Sequence, residues 1–353
     1  MELEDLSQSG IRRLADFSPY LDQLAGLAQE MPLRQRSNLV YLDQCLHQHW
    51  SLGQNTILSW TPIDDGLLIL VVPHYGIAEY TTTQAGDQNP RVSAQFITEL
   101  ISGERQLTLT QMQKVARLLN VEAIHIKLRQ SLTGHPVETQ VIEKMIRRYG
   151  INYVASRAVT LFDIVGFSLL TPFEQMTQLN SLSYSLNSAH AKMLDQDVNI
   201  NFARSSSGDG FYVWNRDDGL EANVNLYHFM HIVLADNAIA RSKSISKSVP
   251  RLRACFHVGA CYEFNQAEGL NPTTHDYIVG DVTIELARMI DAALPGQILV
   301  GDFLADLTDE NFDPVQSQAH LDAVTFLQRA QGNLSKLSGL EFSGEKVTAI
   351  KCY

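Results

Sequence analysis

Two aspartates stand where a nucleotide-handling metal site needs them. Asp163 lies in Thr160-Leu161-Phe162-Asp163-Ile164-Val165-Gly166-Phe167-Ser168, and Asp209 lies in Ser205-Ser206-Ser207-Gly208-Asp209-Gly210-Phe211. The two segments read as neighbouring strands, one aspartate on each. Mg²⁺ or Mn²⁺ is held by one or two carboxylates plus phosphate oxygens and water, so two aspartates suffice to bridge two ions at a triphosphate. In that chemistry one ion lowers the pKa of an attacking ribose 3′-hydroxyl and the other neutralises the triphosphate. Val165, Gly166 and Phe167 form a tight strand-to-helix turn whose N–H groups can cradle phosphate oxygens, and Gly166 permits the close approach.

Each of these residues also has a plainer use. A strand-end Asp often caps the next helix, Gly-Asp-Gly is a common turn, and a serine run by itself is a passable linker. Here the serines join Gly208-Asp209 and then the strand-like Phe211-Tyr212-Val213-Trp214, which favours a hairpin. Further along, Tyr277-Ile278-Val279-Gly280-Asp281-Val282-Thr283-Ile284-Glu285-Leu286-Ala287-Arg288-Met289 is followed by Pro295-Gly296-Gln297-Ile298-Leu299-Val300. Alone, Arg288 reads as a surface ion-pair residue and Tyr277 as a half-buried strand aromatic.

In order, these pieces resemble the catalytic half of the class III adenylate and guanylate cyclases. That family's Phe-x-Asp-Ile-x-Gly-Phe is followed by a Gly-Asp hairpin and then by Asp-x-x-Gly-x-x-Val-Asn-x-Ala-x-Arg. The resemblance covers about residues 150 to 353. It implies Asp163, Ile164 and Asp209 as metal ligands, Asp163, Asp209 and Arg288 as the catalytic set, and two Mn²⁺ or Mg²⁺ ions per site. It also implies a homodimer with shared sites, the metal aspartates of one chain facing the base-reading and Arg residues of the other.

The departures matter as much. Ser205 stands where adenylate cyclases carry a purine-reading Lys and guanylate cyclases a Glu, Tyr277 replaces the second purine reader, and Ile284 replaces the transition-state Asn. The phosphate-binding Lys aligns with Ser343, so Lys346 or Lys336 has to substitute. A polar pocket rejects the base that leaves its groups unpaired, and a small Ser with a large Tyr suits a pyrimidine, on which the aromatic ring can stack. Arg204 can only donate, and uracil offers O4 and O2 as acceptors. Arg204, Ser205 and Tyr277 are therefore the base-binding set, with UTP ahead of CTP. The pattern is similar to the pyrimidine cyclases of bacterial anti-phage signalling, which implies cyclic UMP or cyclic CMP as an alarm for a separate effector protein. An adenylate cyclase with an atypical pocket, and an inactive cyclase-fold nucleotide-binding module, are the alternatives.

The chain has 353 residues, 45% hydrophobic and 19% charged, with formal net charge −12. That length allows two domains and that composition a globular protein, while the negative balance argues against nucleic-acid or anionic-membrane partners. Cys45, Cys255, Cys261 and Cys352 lack metal or redox spacing, the start Met-Glu-Leu-Glu-Asp is unlike a signal peptide, and no apolar run reaches membrane length. A cytoplasmic protein is expected.

The fold class expected is α+β: a ferredoxin-like class III cyclase domain over 146–353, preceded by a mixed α/β N-terminal domain over 1–145 of unknown role. Before residue 52 the pattern is helical, with Leu21, Leu24, Leu27, Ala28 and Met31 on one period and Pro32 as a break. Strands are expected over 55–83 about an Asp64-Asp65-Gly66 turn, and helices over Thr108 to Leu119 and Val137 to Tyr149. Then come a strand from Tyr153, a helix from Pro172, the Gly-Asp hairpin, a helix from Asn223, a strand from Leu252 and a helix from Val282, with Asn265 to His275 as a loop. The helices are expected on one face of an antiparallel sheet. Cys45, His47 and His49 read as a polar helix end, and His228 and His231 as buried or interface histidines.

Overall fold

Apolar residues fill nearly every position of Gly66-Leu67-Leu68-Ile69-Leu70-Val71-Val72, the mark of a strand covered on both faces. The computed structural model describes residues 31–77, 94–198, 200–245, 248–267, 274–308 and 318–333, and it bears this out. Strands β1 (Asn55–Ile63) and β2 (Gly66–Pro73) form a hairpin, and β3 (Ile124–Lys127) adds to β2 to complete a three-stranded antiparallel sheet. Leu67 and Ile69 face α1 (Leu33–Trp50) and α4 (Pro136–Arg148), whereas Leu70 and Val72 face α2 (Ala94–Ser102) and α3 (Leu109–Leu119). Helix α3 begins at Thr108, whose hydroxyl makes a capping box with Gln111. The helical pattern read over Leu21 to Ala28 lies outside the described residues.

The chain divides into two units, one of Met1–Tyr153 with Glu263–Tyr277 and one of Val154–Tyr262 with Ile278–Tyr353. The first is pinned by a buried cation. Arg105 is 1% exposed, and its guanidinium donates to the carbonyls of Leu58, Leu100, Ile101 and Ile151 and to Asn152 Oδ1. Burial lowers its pKa to about 10, still far above neutrality, so it stays charged.

The second unit is built on β4 (Ile151–Ile164), α5 (Pro172–Leu194), β5 (Phe202–Ser206), β6 (Gly210–Asn215), α6 (Leu220–Lys243) and β7 (Leu252–Ala267). The sheet runs β5-β6-β4-β7, then β8 (Thr274–Val279), of which only Ile278 and Val279 belong to this unit, with β9 (Ile298–Val300) pairing parallel to β7. A strand-helix-strand-strand-helix-strand run in that spatial order is the ferredoxin-like arrangement, and the class is α+β. Helices α5 and α6 share one core with Ala158, Phe162, Val213 and Phe256. Helix α7 (Asp281–Ala292) instead packs on the opposite face, over Val159, Leu161, Ala203 and Cys255. The expectation of helices on one face is thereby corrected: Val282, Leu286, Met289 and Ile290 bury one stripe of α7 against the face that α5 and α6 leave free.

After β9 come a hairpin of β10 (Leu304–Thr308) and β11 (Gln318–Asp322) and then α8 (Ala323–Asn333). The segment read as the loop Asn265 to His275 is partly strand, since β7 runs to Ala267 and β8 starts at Thr274. His228, buried and bonded to the Ala330 carbonyl, is a core residue, whereas His231 is half-buried, its pKa lowered to about 4 by burial and then by His228. No helix among the described residues is long and apolar enough to cross a membrane.

Replacing Arg105 with Met strands several buried carbonyls, each costing about 1–3 kcal/mol when unsatisfied. Arg105→Met is expected to lose about 3 kcal/mol or more of stability, read as a lowered urea midpoint. An unchanged midpoint would show the guanidinium to be dispensable.

Candidate active site

The β4–β6 ladder sets Asp163 opposite Gly210, one residue beyond Asp209. A Cβ on Gly210 would lie 1.8 Å from the Phe162 carbonyl oxygen, so only glycine lets the two strands close at this point. The Ile164 amide also donates to the Asp209 carbonyl at 3.1 Å. Together these bonds bring the Asp163 and Asp209 carboxyls close enough for the charge of Asp209 to act on Asp163.

Asp163 is 5% exposed, and its Oδ2 accepts from Arg253 Nε at 2.6 Å. Burial raises its pKa to about 6, Arg253 pulls it down, and the neighbouring Asp209 pushes it up again. The net upward shift means that burial and a like charge outweigh the guanidinium. Sequence reasoning missed Arg253. The signal was present, because Leu252, Ala254 and Phe256 alternate onto the α6 side and so turn Arg253 to the face of Asp163. Beside it, the Cys255 thiol is pushed up to about 12 by burial, which leaves it un-ionised at neutral pH.

The donor set fits a divalent cation. Two neighbouring carboxylates with one guanidinium, bonded to Asp163, carry unrelieved negative charge, and Mg²⁺ or Mn²⁺ asks for few protein ligands. Ile164 can add only its main-chain carbonyl. No group of three or more His, Cys, Asp or Glu side chains able to hold a metal occurs among the described residues.

The other candidate residues fall differently. Gly166 takes φ +71°, but the Val165 amide is already engaged by the Arg251 carbonyl at 2.9 Å. The chain then makes a 3-10 turn over Phe167–Leu169, and helix α5 starts only at Pro172 with its cap filled by Thr171 and Glu174. The strand-to-helix phosphate cradle is thus reduced to the Gly166 and Phe167 amides. Ser205 shares its sheet face with Ala203, which packs under α7. Arg204 faces the other way, donates to Ser183 Oγ at 3.0 Å and stacks its guanidinium 5.4 Å from the Phe211 ring centre. The structure therefore does not bring Arg204 together with Ser205, because consecutive strand residues point to opposite faces. Tyr277 lies on β8 in the first unit, stacked on Phe264 at 5.7 Å. Arg288 is exposed on α7 and paired with Glu285. Lys336, Ser343 and Lys346 lie outside the described residues.

No family model matches the chain, and no curated protein matches it either. Among solved structures it is similar to the adenylyl cyclase CyaB from P. aeruginosa, at 16% identity over 46% of this chain and 91% of that one, with TM-score 0.32. It is similar to the guanylate cyclase domain of RhGC from Catenaria anguillulae at 15% identity, over 42% of this chain and 78% of that one, with TM-score 0.32. The monomeric guanylyl cyclase domain of the RhoGC fusion protein from Blastocladiella emersonii matches at 18% identity, over 43% of this chain and 83% of that one, with TM-score 0.33. Likenesses this slight carry no argument by themselves, and function has to be argued from the residues.

In metal-free protein Asp163 takes up a proton near pH 6, well above the ordinary carboxylate range. The folded state then binds more protons than the unfolded chain between about pH 4 and 6, so this group costs stability as pH rises through that window. Asp163→Asn is expected to gain on wild type between pH 4.5 and 7.5 in urea titrations with chelator present. A constant difference across that range would contradict the upward shift.

Proposed function

We propose that this protein is a metal-dependent nucleotidyl cyclase that converts a pyrimidine nucleoside triphosphate to its 3′,5′-cyclic monophosphate and pyrophosphate. The single observation that carries the reading is the meeting of Asp163 and Asp209 on adjacent strands at one end of a ferredoxin-like sheet. Asp163, Asp209 and the Ile164 carbonyl would hold two Mn²⁺ or Mg²⁺ ions. When bound, such ions lower the pKa of the 3′-hydroxyl and neutralise charge on the phosphates.

The chain's own part is alignment. The Gly166 and Phe167 amides and the Arg253 guanidinium face or flank the aspartates and suit phosphate oxygens. The bond from the 3′-oxygen to the α-phosphorus forms as the bond to the β-phosphate oxygen breaks, pyrophosphate leaves, and the hydroxyl proton passes to solvent. Arg288, exposed and paired with its neighbour Glu285, is placed to meet a substrate bound largely by a second copy. Leu169, Phe173, Met176 and Tyr184 are 90%, 73%, 54% and 74% exposed, an apolar row suited to cover by such a copy. We therefore propose a homodimer with two shared sites. Residues 146–353 form its catalytic domain, and residues 1–145 are proposed as regulatory.

Ser205, on the α7 face, and Tyr277 are the proposed base readers. The ordering of UTP over CTP leaned on Arg204 as a donor, and that donor is engaged by Ser183. The role as an alarm in anti-phage defence, read by a separate effector in the cytoplasm, rests on the sequence resemblance. Ile284, 49% exposed where the resemblance expects Asn, favours an inactive nucleotide-binding module as the second reading.

Pure protein incubated with each of the four NTPs and Mn²⁺ should yield a cyclic pyrimidine nucleotide and pyrophosphate. Asp163→Asn and Asp209→Asn should each drop turnover by at least about a hundredfold while the circular dichroism spectrum holds, and full activity in either would refute the two-aspartate site. Cyclic AMP as the main product would replace the pyrimidine reading with an adenylate cyclase. In a second experiment, mixing Asp163→Asn with Arg288→Ala should restore part of the activity, since one site of each heterodimer keeps both intact halves. Absence of rescue under demonstrated subunit exchange would refute shared sites.

A further inference from the structure

Side-chain alternation on the second unit's sheet separates two faces, and Asp163 lies on only one of them. Ala158, Phe162 and Ile164 of β4 join the core under α5 and α6, whereas Val159 and Leu161 join the core under α7, and Asp163 follows them. On β5, Ala203 marks the α7 face and Ser205 shares it. Directly opposite Ser205 across the β5–β6 ladder stands Tyr212, and its other ladder neighbour is Leu161, two residues before Asp163.

Tyr212 is half-buried against the α7-side core. Burial and then the charge of Asp209 hold its phenol above the ordinary value, which places the ring within reach of that carboxylate's field. Its hydroxyl has no hydrogen-bond partner among the described residues. A half-buried phenol with an unused donor, directly opposite a small serine on the neighbouring strand, is arranged to meet a ligand. Ser205 leaves open the volume over which an aromatic ring can lean, since opposite Cβ atoms on paired strands are only about 4.5–5.5 Å apart.

We propose that Tyr212 is a specificity-determining residue that packs its ring on the bound nucleoside and donates its hydroxyl to it, taking the donor role that the sequence pattern assigns to Arg204. This rests on the cyclase reading for the identity of the ligand, a pyrimidine nucleoside triphosphate. Arg204, on the far face between Ser183 and Phe211, is a strut joining β5 to α5.

The test measures turnover of UTP, CTP, ATP and GTP with Mn²⁺, and calorimetric binding of the same nucleotides with Ca²⁺, for wild type, Tyr212→Phe, Tyr212→Leu and Arg204→Met. Tyr212→Phe should raise KM for the preferred pyrimidine about tenfold through the lost donor. Tyr212→Leu should in addition narrow the pyrimidine-to-purine ratio of kcat/KM by about tenfold or more. Arg204→Met should shift all four nucleotides by one common factor. Tyr212 variants with wild-type melting temperature, KM and base ranking would overturn the inference, as would a ranking that moves with Arg204 and not with Tyr212. Should the wild type bind nucleotide without cyclising any, the cyclase reading fails while weaker binding by Tyr212→Phe still supports this inference, and equal binding overturns it. No nucleotide binding at all by the wild type overturns both.

Discussion

A buried carboxylate keeps its charge only beside a cation, and Asp163 is placed so that its cation is a matter of choice. Arg253 supplies one by a 2.6 Å bond, yet burial and the adjacent Asp209 still hold the carboxyl near pKa 6. The pair is under-neutralised. Its closeness is fixed in the backbone, because the ladder from β4 to β6 admits no side chain at position 210 and the Ile164 amide is tied to the Asp209 carbonyl. A site whose charge excess is set by main-chain geometry cannot relax by moving a side chain away. A divalent ion would relieve it.

Once that pair is fixed, strand alternation assigns every neighbouring residue. Helices α5 and α6 seal one face of the sheet with Leu182, Leu186, Phe229 and Met230, so no polar ligand can approach there. The α7 face is only partly covered, and Asp163, Ser205, Tyr212 and Arg253 all emerge on it. The serine run that looks like a linker in sequence is a paired strand, and Ser205 owes its position to parity with Ala203 rather than to the run's composition.

Most of the helices and strands of the described residues were readable from period and caps, including α3 at Thr108 and the hairpin about Gly208-Asp209, because those signals are local. The two aspartates were readable because each lies close to a glycine that a strand end requires. Short β3 was not, since four residues hold too little period. Arg204 and Arg253 were misjudged for one reason: assigning a face needs the strand's parity against a known core, and the sequence shows the alternation without saying which half is covered. The seat of α7 on the opposite face is a tertiary fact that no local pattern contains.

Arg288 shows how an exposed residue remains suited to its proposed work. Its partner Glu285 is three residues earlier on the same helix, both side chains are well exposed, and such pairs contribute about 0.5 kcal/mol or less. A phosphate oxygen offers a full charge and bidentate geometry, so the exchange of Glu285 for phosphate is favourable once the α7 face is shielded from water. Ile284, on the same helix, then has a physical role even without the polar group expected there. Half exposed, it would become apolar cover in the proposed dimer and would there lower the local dielectric around the arginine. In the proposed dimer the arginine's weak tether and its apolar neighbour would serve the same end, a cation held loosely by Glu285 and strengthened by the shielding a second copy would bring.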